Sequence, residues 1–391
     1  MSWTIESTIE KAIVDGVLPG AVMFAKDKSG TPPTPLSSPS IPLTSPGKLN
    51  YAKSLGQSSL DPSSPAPMAL DTVFTLASMT KLLTAIAALQ LVDRDLIRLD
   101  DDLAPFLPDL ASKPILSGFT PSGAPILTER TRFLTLRHLL THSSGCGYHF
   151  LSPTLSTYLF PPGSPPSPPP TTSVPSRFDY PLLFEPGTSW AYGSSLDWVG
   201  QLITTLTSLP LEDYLHSHIL APLGLLPSSI TFFPERSHSC TAKLAQMTAR
   251  PSGSSPVVHS PLPPPQSDPT RQAFGGEGGY ASLQAYLEIL HSLLVDDGRL
   301  LSSETAGELF RPQLEEGAKR ALLENVKNPE WIVGWVPDTG EYDWSLGGLL
   351  VDGDSHGHRR GGFLFWAGVF NLNWVSFLST VRCLLSVHGG G

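Results

Sequence analysis

The sequence predicts an α+β fold: one antiparallel sheet formed from both chain ends, helices packed on it, and a mainly helical region inserted between its two halves. Three observations predict it. Strand-like segments lie near both ends, helical periodicity dominates the middle, and no convincing internal repeat is present. Residues 1–75 and 270–391 are therefore expected to form the sheet region, and 76–269 the helical one.

Ile5, Ile9, Ala12 and Ile13 recur at helical spacing, and Gly16 with Pro19 ends that helix. "GAVMFAKD" (20–27) reads as a strand and "KLNYAKSLG" (48–56) as its partner. Between them, 31–46 holds six prolines, which lack the N–H donor a paired strand needs, so it reads as an exposed insertion. Residues 161–176 and 250–269 read as similar proline-rich loops. In the middle, a helix opens at Ser78, and others are expected over 134–145, 195–209, 211–220 and 282–298, the last with Gly298 as its C-cap. Strands return at 331–336, 344–351, 361–367 and 372–387, where Val375, Phe377, Val381, Cys383, Leu385 and Val387 keep a period of two.

Composition narrows the function classes. The formal net charge of −10 disfavours nucleic acid and anionic membrane, which both select basic surfaces. Cys146, Cys240 and Cys383 are too few and too far apart for a disulfide framework or a zinc site. No basic start followed by an apolar core opens the chain, and Asn371, Asn373 and Arg382 interrupt its most apolar stretch. A cytoplasmic protein without a membrane span is expected.

The chemistry points to "TLASMTKLLTAIAALQ" (75–90). Residues three apart on a helix share a face, so Ser78 and Lys81 come within reach of each other. The first-turn N–H groups have no intrahelical partner, and with the helix dipole they stabilise negative charge near Ser78. A serine beside an amine at that point can be a nucleophile with its base. Taken alone, such a pair is far more often a helix cap followed by a solvated lysine.

The surroundings decide between the two. The stretch "FTLASMTKLLTAIAALQLVDRDLIRLDDDLAPFLPDL" resembles the nucleophile helix of serine β-lactamase-like proteins, the superfamily of penicillin-binding proteins, class C β-lactamases, esterases and acyltransferases. "LTLRHLLTHSSG", "FEPGTSWAYGSSLDWVG" and "AFGGEGGYASLQAYLEILHSLL" resemble further hallmarks in the same order. "LPGAVMFAKDKSG" and "SSLDWVG" look most like the fungal transesterase branch, the acyltransferases of the lovastatin-pathway type.

The resemblance implies a β-lactamase/transpeptidase-like fold and a site. Ser78 matches the nucleophile, Lys81 its base and Tyr192 the tyrosine of the second motif. Trp366-Ala367-Gly368 matches the third motif, and the oxyanion hole is then the backbone N–H groups of Ser78 and Val369. Trp366, Gly368, Asn371 and Ser194 are candidates for the substrate pocket, Ser194 standing where some relatives carry asparagine. No cation stands at Trp366 to hold a β-lactam carboxylate, which favours ester or thioester substrates. His142 reads as structural, "HGHRR" (356–360) as an exposed loop, and the glycines at 275–279 as a tight turn. No metal and no cofactor is implied. The expected reaction is transfer of an acyl group, from an ester or from a thioester on CoA or a carrier protein, to an alcohol of a secondary metabolite. Hydrolysis of small esters by the same residues and a non-catalytic scaffold are the alternatives. After Trp374 the chain shows one readable strand and no terminal helix, a departure from the family pattern.

Overall fold

A computed structural model describes residues 5–29, 40–41, 49–161, 163, 172–251, 256–260, 272–327, 336–357, 359–377 and 383–387. Most of the three proline-rich tracts, and the strand expected at 331–336 apart from Val336, lie outside the described residues.

Both ends of the chain build one antiparallel sheet. Its N-terminal strands are β1 (Gly20–Lys26) and β2 (Asn50–Ser59). Its C-terminal strands are β3 (Tyr342–Trp344), β4 (Leu349–Val351), β5 (Phe363–Gly368), β6 (Leu372–Phe377) and β7 (Cys383–Val387). The order across the sheet is β3-β4-β5-β6-β7-β1-β2, with the short Ser40–Ile41 segment beyond β2. The expected single strand at 372–387 is thus corrected to two antiparallel strands, with Leu372 opposite Val387. Period-two alternation continues on both sides of a reversal, so it does not mark the reversal itself. The strand expected at 344–351 likewise divides into β3 and β4, which pair Trp344 with Leu349.

β1 is buried along its whole length because helices cover both of its faces. Ala21 and Met23 pack against Ile9, Ala12 and Ile13 of α1 (Ile5–Val14), while Val22 and Phe24 face the main core. The helix α2 (Thr80–Asp93) is buried at every position from Thr80 to Leu91. A helix that is apolar all round belongs in a core rather than on a surface. It packs against α4 (Ser195–Thr207), which also meets α3 (Leu136–Leu140). On the sheet side α5 (Leu283–Val295) packs on β1, and Glu288 pairs with the fully buried Lys26 at 2.6 Å. Its C-cap is Asp296, in the left-handed conformation at φ 53°, not the expected Gly298.

Of the three small sheets also found among the described residues, two help frame the site. Ile115–Phe119 and Pro125–Thr128 form a hairpin inside the helical region that periodicity did not announce. Val73–Thr75 pairs with Tyr280–Ser282, which also pairs with Ile230–Thr231. This second sheet ends just before Ser78 and fixes where α2 starts. The loop expected to be exposed at 356–360 is corrected in part: His356 is buried, with Nε2 2.8 Å from Thr339 Oγ1. No helix among the described residues is long and apolar enough to cross a membrane.

Candidate active site

Ser78 sits in a tight turn, Ala77–Met79, that runs directly into α2. Ala77 holds φ at 46°, a left-handed conformation that alanine rarely adopts. Such a conformation persists where neighbours hold it in place. Here the Leu76 N–H donates to Gly279 O at 2.8 Å, and the Tyr286 phenol of α5 donates to Met79 O at 2.9 Å. Strand β5 closes the other side. A Cβ at Gly368 would lie 2.4 Å from Leu76 O, so only glycine lets β5 approach the turn this closely.

Lys81 is buried one turn further along, and its amine meets three acceptors. It donates to Ser78 Oγ at 3.1 Å, to Tyr148 Oη at 3.3 Å and to Gly276 O at 2.7 Å. Three acceptors satisfy the three hydrogens of an ammonium. A neutral amine has two hydrogens and a lone pair, so one neighbour must then donate to it. The Gly276 carbonyl cannot donate, whereas the Ser78 and Tyr148 hydroxyls can. Burial, aided by nearby Asp197 and Glu277, pushes the Tyr148 phenol well above its usual range, so it stays neutral.

Tyr192 lies in the same cluster. The Lys81 amine is 4.7 Å from its ring centroid, and its phenol accepts from Trp366 Nε1 at 2.9 Å. Two loops hold the tyrosines side by side, their rings 5.8 Å apart. The Tyr148 N–H donates to Tyr192 O, Ala191 N–H to His142 O, and Gly187 N–H to Ser143 O. The threonine-histidine-serine-serine-glycine segment therefore fastens the loop bearing Tyr192. His142 is fully buried against Tyr192 and Trp344, with ring centroids 4.6 and 5.0 Å away. Burial, and then the Lys81 charge, hold it well below 6.5, which keeps it neutral.

The other expected site residues divide by position. Trp366 and Gly368 lie on β5 beside the cluster. Val369 follows in the hairpin turn and is 60% exposed. Asn371 closes that turn at φ 60°, the left-handed position that asparagine tolerates in such loops. Ser194 is buried at the start of α4 and is not on the wall of the adjoining cavity. That cavity, about 670 Å³, is walled by Tyr148, Tyr192, Trp190, Leu183, Phe150 and Ser156, among others. It is large enough for a small organic substrate.

The Beta-lactamase family profile matches residues 41–377. The chain belongs to the beta-lactamase family. Among its relatives, "Acyltransferase mokF" of Monascus pilosus is 34% identical over 97% of this chain and 88% of its own length. "Monacolin J acid methylbutanoyltransferase" of Aspergillus terreus is 34% identical over 95% and 86%. "Lovastatin esterase" of Penicillium rubens is also 34% identical, over 95% and 88%. A solved simvastatin synthase from Aspergillus terreus, a LovD6 mutant, superposes with a TM-score of 0.86 at 34% identity, covering 99% of this chain and 90% of that one.

In this beta-lactamase-family chain, Tyr148 is the site residue that sequence reasoning missed. No helical or strand periodicity ties it to Lys81, because it belongs to a loop that bonds to a second loop bring against that amine. Its position three residues after Gly145, at the end of a recognised hallmark, was the available signal. Tyr148→Phe is expected to reduce kcat about ten- to hundredfold with little change in KM, because a hydrogen bond to a charged group contributes about 1.5–3 kcal/mol. Steady-state kinetics beside a Tyr192→Phe variant check this, and an unchanged kcat for Tyr148→Phe would assign that phenol to packing alone.

Proposed function

We propose that this protein is a serine acyltransferase in which Ser78 carries the acyl group. The supporting observation is the Lys81 amine, buried and 3.1 Å from Ser78 Oγ, with Tyr148 and Gly276 filling its other two directions. Ser78 Oγ attacks the carbonyl of a thioester or ester and passes its proton to Lys81. The N–H groups of Ser78 and Val369 receive the charge that develops on the carbonyl oxygen, each such donor contributing about 3 kcal/mol. As the carbon–sulfur or carbon–oxygen bond breaks, the leaving thiol or alcohol takes the proton from Lys81. An acceptor alcohol then enters, gives its proton to the amine and attacks the acyl carbon; as the bond to Ser78 breaks, Ser78 Oγ takes that proton back from Lys81. Tyr192 acts beside Lys81 as a proton-transfer group in both halves, and Trp366 orients its phenol.

The relatives named as acyltransferases support acyl transfer to an alcohol of a secondary metabolite; CoA or a carrier protein as the thiol of the donor is part of this proposal. The relative named as an esterase supports water as a second nucleophile in the same site. A partition experiment separates them. The protein is loaded with a short-chain acyl thioester, and candidate alcohols are added. Ester formed in excess over free acid is the expected result. Free acid alone makes the protein an esterase, and no adduct on Ser78 leaves the fold without the proposed chemistry.

A further inference from the structure

Asp197 is an acidic residue in the first turn of α4, a place where carboxylates ordinarily face water and complement the helix dipole. Here it is fully buried. Its Oδ1 accepts from Gly276 N–H at 2.9 Å, and Oδ2 has no hydrogen-bond donor among the described residues. A buried carboxylate with one bond is unfavourable unless a nearby charge compensates it. That charge lies across one peptide: the residue that donates its N–H to Asp197 receives Lys81 on its carbonyl at 2.7 Å. A Cβ at Gly276 would stand 2.4 Å from Oδ2, so glycine is what allows this contact.

We propose that Asp197 is a positioning residue for acyl transfer: through the Gly276 peptide it aims the carbonyl that receives Lys81, and its charge stabilises the ammonium formed when Ser78 gives up its proton. This rests on the reading of Ser78 and Lys81 above. The proton moves from Ser78 Oγ to Lys81 Nζ, and Asp197 itself neither gains nor loses one. The arrangement serves an amine as the buried aspartate of a serine-histidine-aspartate triad serves an imidazole.

The groups facing the pair set its pH response. Around Asp197 stand Lys81, the Glu277–Arg177 ion pair (2.6 Å), and the phenols of Tyr148 and Tyr180, which burial keeps neutral. Around Lys81 stand Ser78, Tyr148, Tyr192 and the neutral His142. Burial, and then Glu277, raise the proton affinity of Asp197, and Lys81 opposes them. The carboxylate therefore exerts its full charge on the alkaline side of the profile, where Lys81 is called on as a base.

The test is the pH dependence of kcat/KM for Asp197→Asn, whose side chain keeps an acceptor for Gly276 N–H and removes the charge. The ammonium loses its stabilisation, so the acid limb is expected to move down by about one pH unit, a one-unit shift corresponding to about 1.4 kcal/mol. On the plateau kcat falls about tenfold, for the same reason, while KM stays within about twofold because Asp197 is not on the cavity wall. The melting temperature holds or rises, since a neutral amide is buried more readily than a carboxylate. Asp197→Ser is the second variant, and the same downward movement is expected. An unmoved acid limb in a folded variant overturns the proposal. Failure of both variants to fold also overturns it, by making the carboxylate a structural group. The native protein serves as the control: if it forms no adduct on Ser78, the nucleophile reading falls and takes the Asp197 role with it, whereas an adduct with an unmoved limb removes the Asp197 role only.

Discussion

Ser78→Ala is expected to form no acyl adduct with a thioester and to lose turnover by roughly 10⁴–10⁶-fold, the scale seen when a serine nucleophile is deleted from a unit that acts together. The change removes one oxygen and leaves the fold intact, because the turn is held by backbone. Leu76 is bonded to Gly279, Met79 to Tyr286, and neither bond uses the serine side chain. Melting should accordingly stay close to that of the native chain. Intact-protein mass spectrometry after exposure to a short-chain thioester reads the outcome directly. An adduct of the same mass on the alanine variant would place the acyl group on another residue.

Lys81→Met is expected to lower kcat by about 10³–10⁴-fold, from loss of general-base transfer. Unlike the serine change, it should also lower stability. Methionine matches the length of lysine but donates nothing, so the Gly276 carbonyl and the two hydroxyls lose a partner. A buried acceptor left without a donor costs about 1–3 kcal/mol. Lys81→Arg separates the two effects, since guanidinium keeps its charge and donors but gives up no proton. Its turnover should be as poor as that of the methionine variant. Arginine activity near the native level would show that Lys81 supplies charge rather than a base.

What the sequence made legible follows from which contacts are local. Ser78 and Lys81 were readable because one helical turn joins them, and the helix after them is apolar on every side. The sheet from both ends was readable because its strands are local signals, β1 as a short apolar run and 372–387 as an alternating one. Tyr148 was not, since the bonds that bring it to Lys81 run between loops about 45 residues apart in sequence. Asp197 was hidden for a different reason: an acid near a helix start has an ordinary explanation at the surface, and only three-dimensional packing shows that it is buried. The division of 372–387 into two strands was lost because alternation persists through a reversal. Asn371, a candidate for the substrate pocket, lies in the hairpin turn that follows β5.

The place of β7 bears on how the molecule is made. β1 has β2 on one side and β7 on the other, with Met23 opposite Ser386. During synthesis β1 and β2 emerge before the other strands of the sheet and can join as a hairpin, but the remaining flank of β1 finds no partner until Cys383–Val387 has been made, about 350 residues later. Closure of the sheet therefore comes long after its first hairpin, and in the interval the newborn chain presents an open strand edge to its neighbours.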